Sequence, residues 1–291
     1  MYFKSPIDAI GHTPLVELSR MSPDEKVKIL AKLEGQNLGG SASVKDRIAK
    51  YMIEKAEQSG ELTKEKIIIE ATSGNTGIAL AWLGRMKGYK VKIVMPDNMS
   101  IERQQLLRIF GAGLILTKGA LAMPAAIEKA RELAAKDKRY FMPDQFTNPA
   151  NPLAHYETTA VEIIDQFPYG KIDVLIAGIG TGGTIMGISR RLREKYPNIR
   201  VIGVEPPPGD SIQGLKCLGE ELPPFWDSTL VTDKVRVTSQ QAAIATTQLL
   251  RKGGIFAGLS SGAVIHQAIK LAGEMDEGNI VAILADAGWK Y

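Results

Sequence analysis

Short apolar, β-rich runs alternate with amphipathic helical patterns along almost the whole chain, and this alternation limits the fold more than any other feature. Residues 66–71, 91–95, 113–117, 173–177, 200–205 and 279–285 read as strands. Helical spacing of apolar residues marks 78–86, 100–110, 123–135, 151–167, 184–194, 239–251 and 261–275 as helices. Strands and helices that alternate almost throughout predict an α/β protein with parallel sheets. Runs without polar interruption, such as Val174-Leu175-Ile176-Ala177, suit strands covered on both faces. At 291 residues and 44% hydrophobic, the chain is long enough for a large core in one or two domains. Three prolines and two asparagines in 143–152 mark the best domain junction, and 205–233, rich in Pro and Gly, is the one long irregular stretch.

Several function classes are excluded early. Net charge is +4 and spread along the chain, with no basic block interleaved with aromatics to suggest nucleic acid. Cys217 is the single cysteine, so neither an intrachain disulfide nor a cysteine-rich metal site can form. His12, His155 and His266 lack ligand spacing and read as core or surface residues. The N-terminal residues carry no apolar h-region and no apolar run is long enough to span a bilayer, so we read a cytoplasmic protein without membrane partners.

Four local features carry chemistry. Lys45 sits in Ser43-Val44-Lys45-Asp46-Arg47, where Ser43 and Asp46 read as an N-cap and its capping-box partner. A helix N-terminus is positive and disfavours an ammonium, pushing the amine toward the neutral form that attacks carbonyls. Thr72-Ser73-Gly74-Asn75-Thr76-Gly77 lies between a strand and a helix, where hydroxyls and free N–H groups suit a carboxylate or phosphate. Gly180-Thr181-Gly182-Gly183-Thr184 occupies a second such junction. Gly178, Gly180 and Gly183 also satisfy G-x-G-x-x-G, with Glu205 at the end of the next strand, so a nicotinamide-dependent oxidoreductase is a rival on this motif alone. Gly258-Leu259-Ser260-Ser261-Gly262 offers either a serine N-cap or a neutral hydroxyl for a heteroaromatic nitrogen.

An amine, two anion cups and a neutral hydroxyl together match pyridoxal phosphate plus an amino acid; the dinucleotide reading leaves Lys45 and the Asn75 loop unexplained. With these motifs stand Gly11-His12-Thr13-Pro14-Leu15, Lys32-Leu33-Glu34-Gly35, Met95-Pro96-Asp97-Asn98-Met99-Ser100, Asp144-Gln145-Phe146 and His155-Tyr156. In this order they resemble the cysteine synthases (O-acetylserine sulfhydrylases), B-type branch, of the fold-type II pyridoxal-phosphate enzymes. The resemblance covers nearly the whole chain.

That resemblance implies two domains, each a mostly parallel sheet flanked by helices as in the tryptophan synthase β subunit, with the cofactor in the cleft between them. Residues 40–148 would form the smaller, mobile domain, and 1–39 with 149–291 the larger cofactor domain. Lys45 would be the Schiff-base lysine and the base for the substrate α-proton, and Asn75 would bond the cofactor's phenolic oxygen. Thr72, Ser73, Thr76 and Gln145 would bind the substrate carboxylate, with Gly214 closing near the substrate amine. Gly180, Thr181, Gly182, Gly183 and Thr184 would hold the cofactor phosphate, and Ser260 would face the pyridine nitrogen. The implied reaction is β-replacement on O-acetylserine by sulfide, through an aminoacrylate, giving L-cysteine. O-phosphoserine as donor or homocysteine as acceptor (a cystathionine β-synthase activity) are alternatives. A homodimer and a serine acetyltransferase partner also follow from the family.

The sequence departs from the family pattern in places. Residues 39–43 make the loop before Lys45 two residues longer, and His12 stands where the family has Asn. Lys216-Cys217-Leu218 replaces a more basic, Trp-containing stretch associated with larger anionic sulfur donors.

Overall fold

The computed structural model describes residues 2–72, 74–219 and 222–290. The chain forms two compact units: the residues up to Ile10 with Asn37–Ala150, and Gly11–Gln36 with Asn151 onward. The stretch before Ile10, expected with the larger unit, therefore groups with the smaller one.

Among the described residues, the first unit has a four-stranded parallel sheet in the order β5-β4-β3-β6. These strands are β3 (Ile67–Ala71), β4 (Lys90–Pro96), β5 (Gly113–Thr117) and β6 (Tyr140–Phe141). Their helices are α1 (Val44–Gln58), α2 (Asn75–Lys87), α3 (Ile101–Ile109) and α4 (Ala122–Lys136). The two-residue period of β3 sends Ile68 to a core shared with Leu80 and Leu83 of α2, while Ile69 and Ala71 pack on Ala126 and Ala130 of α4. Helix α2 ends where Gly88 takes a left-handed conformation, φ 79°, which only glycine adopts without strain.

The second unit has a six-stranded sheet among the described residues, in the order β1-β2-β10-β7-β8-β9. Its strands are β1 (Leu15–Glu17), β2 (Val27–Leu33), β7 (Val174–Gly178), β8 (Arg200–Glu205), β9 (Asp233–Arg236) and β10 (Gly278–Leu284). Only the short edge strand β1 is antiparallel. Helices α5 (Ala150–Ala154) and α6 (Ala160–Gln166) are joined by a π-helical turn at His155–Thr159, so the helix expected over 151–167 is continuous but under-wound in its middle. Helices α7 (Gly183–Lys195), α8 (Ser239–Gly253) and α9 (Leu259–Ala272) complete the unit. Helix α9 lies so close to α8 that a Cβ at Gly262 would stand 2.0 Å from Thr246 Oγ1.

A buried polar cluster ties the start of this unit together. Lys32 Nζ, fully buried on β2, donates to Thr13 O at 2.6 Å, to Glu162 Oε2 at 2.7 Å and to Gln166 Oε1 at 2.9 Å. His12 has φ 52°, and its N–H donates to Glu162 Oε1 at 2.9 Å. His is over-represented in that left-handed region, so His12 takes it at little cost.

Candidate active site

In the first unit, α1 presents Lys45 from its first turn. Ser43 Oγ accepts from Lys45 N at 3.1 Å, and Asp46 closes the capping box by accepting from Ser43 N at 3.1 Å. The other oxygen of the buried Asp46 carboxylate accepts from Ser41 N at 3.0 Å. The longer loop is thus wrapped tightly on Asp46; a Cβ on Gly39 would fall 2.3 Å from its carboxyl carbon, and one on Gly40 2.4 Å from Trp82. This loop is fastened in place, and the lysine lies at the helix start.

The Thr72–Thr76 segment leaves the C-terminal end of β3 and turns into α2, whose N-cap Gly74 offers no side-chain acceptor. A helix start without a side-chain cap is a favourable place for an anion. Thr72 Oγ1 accepts from Gly74 N at 3.2 Å, and Thr76 Oγ1 donates to Gln145 Oε1 at 2.7 Å. Thr72, Thr76 and Gln145 are all buried, and Asn75 is the first residue of α2. Ser73 lies outside the described residues.

In the second unit, β7 runs through Gly180 and Thr181 into α7. Gly182 caps α7 in the left-handed region at φ 86° and offers no side-chain acceptor of its own. Thr181 Oγ1 accepts from Gly183 N at 3.3 Å and from Asn151 Nδ2 at 3.0 Å, which pins the loop from below. Thr184 Oγ1 stands 3.2 Å from His155 Nε2, and His155 Nδ1 is 2.9 Å from Thr159 Oγ1, so the π turn holds the loop threonine. A Cβ on Gly180 would meet Gly214 O at 2.6 Å. Gly214, at φ 89°, in turn places its own Cβ position 3.7 Å from Ser260 Oγ, and Ser260 is buried in the first turn of α9. The structure thus gathers Gly180, Gly214 and Ser260 in one unit, and Thr72, Thr76 and Gln145 in the other.

Residues 7–286 match the family model described as pyridoxal-phosphate dependent enzyme. This chain belongs to that family. The pyridoxal-phosphate enzyme is 42% identical to a cysteine synthase from Staphylococcus aureus (strain Mu50 / ATCC 700699), over 99% of this chain and 96% of the relative. Among solved structures it is similar to a hydrogen sulfide-producing enzyme from Fusobacterium nucleatum, with TM-score 0.92, 44% identity and all of both chains covered. It is also similar to an O-ureido-L-serine synthase, with TM-score 0.94 and 38% identity over 100% of this chain and 94% of that one.

The residues present suit the cofactor. A phosphate needs close backbone approach and free N–H donors, and Gly180, Gly182 and Gly183 leave no side chain in the way of the α7 N-terminus. A neutral serine at the start of α9 matches an unprotonated ring nitrogen. The dinucleotide alternative fares worse. Glu205 is 4% exposed; its carboxylate accepts from Leu218 N at 3.1 Å and lies 3.7 Å from Arg236, so it is engaged in holding its own loop.

Two residues that support the phosphate-loop motif have no role assigned by the sequence. Asn151 pins the Gly180–Thr184 loop, though it reads only as a helix start. His155, which reads as an ordinary core histidine, supports Thr184. No described helix is long and apolar enough to cross a membrane.

Proposed function

We propose that this pyridoxal-phosphate enzyme exchanges the β-substituent of an O-activated L-serine, O-acetylserine above all, for sulfide, giving L-cysteine and acetate. The observation that carries the reading is the buried Thr76–Gln145 pair at the side-chain-uncapped start of α2, in the same unit as Lys45. Such a cup takes a carboxylate, which every amino-acid substrate has. When bound, the cofactor supplies an aldehyde for amines and an electron-withdrawing ring that eases loss of the α-proton and of the β-substituent.

The chain's own groups do the rest. Thr72, Ser73, Thr76 and Gln145 hold the substrate carboxylate, and Asn75 orients the cofactor's phenolic oxygen. Lys45 Nζ takes the α-proton, so the departing acetate leaves from the neighbouring carbon, and the incoming sulfur takes its place. Gly180 to Thr184 hold the phosphate through N–H groups and hydroxyls. Ser260, unable to charge the ring nitrogen as a carboxylate would, keeps the ring a moderate electron sink and so favours elimination over a lasting carbanion. Gly214 would meet the substrate amine. A homodimer in the cytoplasm, with a serine acetyltransferase as supplier and partner, completes the reading.

A second reading is favoured by the Fusobacterium relative, which matches this chain end to end and is described as hydrogen sulfide-producing. The same groups would then act on L-cysteine as the donor, releasing sulfide in place of acetate. The test is product analysis with purified protein and pyridoxal phosphate. Cysteine formed from O-acetylserine and sulfide supports the first reading, and sulfide released from cysteine alone supports the second. Neither product, with O-phosphoserine and homocysteine also inert, overturns both.

A further inference from the structure

A cleft of about 330 Å³ opens at the N-terminal end of the four-stranded sheet, where β3, β4 and β5 begin at Ile67, Lys90 and Gly113. The proposed carboxylate cup lies beyond the opposite, C-terminal end of β3. Arg85, from the last turn of α2, and Lys90 and Lys92, from β4, line the cleft, and no carboxylate does among the described residues. Tyr89, Val91 and Phe110 supply an apolar wall. The Arg85 and Lys90 side chains have no hydrogen-bond or ion-pair partner among the described residues. Arg85 Nη1 lies 3.4 Å from the Cβ position of Gly111, which at φ 85° favours glycine, so the guanidinium lies across bare backbone. Lys92 Nζ donates to Tyr140 Oη at 2.7 Å, a hydroxyl rather than a carboxylate.

Cations at a helix end often serve its orphan carbonyls, but here backbone groups take that work. Gly84 O and Arg85 O accept from Tyr89 N at 2.8 Å and Gly88 N at 3.2 Å, and Leu107 O and Arg108 O from Ala112 N at 3.0 Å and Gly111 N at 2.9 Å. Neighbouring acids are engaged as well. Glu57 accepts from Lys87 Nζ at 2.6 Å and Tyr89 Oη at 2.8 Å, and Asp137 pairs with Arg139 at 2.7 Å. Three like charges beside low-dielectric walls concentrate a positive field, and a guanidinium fork suits a phosphate or carboxylate. We propose that this cleft binds a small organic dianion, a phosphate monoester or a dicarboxylate, with its charged end on Arg85, Lys90 and Lys92 and its carbon body on Phe110 and Tyr89. Nine residues of α2 separate Arg85 from Thr76, about 14 Å along the helix, so such a ligand does not compete for the cup. The inference does not depend on the reaction proposed above.

The experiment is isothermal titration calorimetry of the holoenzyme, with pyridoxal phosphate saturating so that the cofactor's own phosphate site is filled. Phenyl phosphate and phthalate are the dianionic probes, and phenol is the uncharged one. One molecule of a dianionic probe is expected to bind per chain, more weakly as salt is raised, and phenol is expected not to bind. Binding of phenyl phosphate alone assigns a phosphate monoester, and of phthalate alone a dicarboxylate. Arg85→Gln and Lys90→Gln are each expected to weaken binding about tenfold, as the loss of one charge-assisted contact would. Both side chains are exposed, so these variants keep the fold, which their melting temperatures check. Thr76→Ala, at the other end of α2, is expected to leave the affinity unchanged. No binding of either dianion at millimolar concentration overturns the proposal. So does wild-type affinity in the Arg85→Gln, Lys90→Gln double variant, or binding lost in Thr76→Ala, which would place the probe in the cup.

Discussion

Gly183→Ala is a sharp test of how the phosphate loop is built. The new Cβ would stand 2.0 Å from Asn151 Oδ1, 2.4 Å from its Cγ and 2.8 Å from its Nδ2, all inside van der Waals contact. Asn151 is 1% exposed and cannot swing into solvent. To make room it must give up its bond to Thr181 Oγ1, now 3.0 Å long. Overpacking costs about 1–3 kcal/mol, and leaving a buried amide unsatisfied costs about 1–3 kcal/mol more. We expect a total near 2–5 kcal/mol, since the two terms share one displacement and do not add fully. At about 2–4 °C per kcal/mol for a unit of this size, the apo-protein melts roughly 5–15 °C lower. Thr181 also lies in the loop proposed to hold the phosphate, so pyridoxal-phosphate affinity is expected to fall about tenfold or more, the equivalent of about 1.4 kcal/mol. Differential scanning fluorimetry of the apo-protein and absorbance titration with the cofactor read the two effects separately. Gly170→Ala is the control, because nothing lies within 4 Å of its Cβ position. A Gly183→Ala protein with wild-type melting and wild-type cofactor affinity would refute the account of the loop.

Two further predictions concern buried charge. Lys32→Met leaves the Glu162 carboxylate and the Thr13 carbonyl without their ammonium donor, and urea unfolding is expected to show a loss of about 3–5 kcal/mol; an unchanged midpoint would contradict the role given to the cluster. Glu70 should make stability fall with rising pH. Its carboxyl is lifted from 4.5 to about 8, so in that window the folded state holds a proton that the unfolded state has released. The stabilisation is whole below 4.5 and lost as pH passes 8, about 5 kcal/mol in all. Glu70→Gln should flatten that slope in denaturant titrations, and an equal slope in wild type and variant would refute it.

The sequence was legible where one physical cause acts locally. The strand–glycine–helix junctions at 72–77 and 180–184 announce themselves because their chemistry needs small residues and hydroxyls in a fixed order. Both fall at the C-terminal ends of parallel strands, β3 and β7. The Lys45 helix start was equally plain, since Ser43 and Asp46 form the capping box they spell. Other features depend on partners distant in the chain. Strand β2 escaped recognition although Val27-Lys28-Ile29-Leu30-Ala31-Lys32 lies deep in the sheet, because Lys32 looks like a surface residue until Glu162 is placed against it. β1, β6 and β9 are two to four residues long, too short to show a period. Asn151 and His155 support the 180–184 loop through contacts that no spacing rule connects: Asn151 to Thr181 and His155 to Thr184.

The central claim is that Lys45 carries the chemistry with pyridoxal phosphate. It is tested most directly by the visible absorption spectrum of the purified protein with the cofactor, before and after O-acetylserine is added without sulfide. The account predicts a visible band in the wild type that moves to longer wavelength with O-acetylserine and returns when sulfide is supplied. Lys45→Ala, folded and binding the cofactor, should lack both the original band and the cycle. No visible band in the wild type, or a Lys45→Ala protein that cycles as the wild type does, would contradict it.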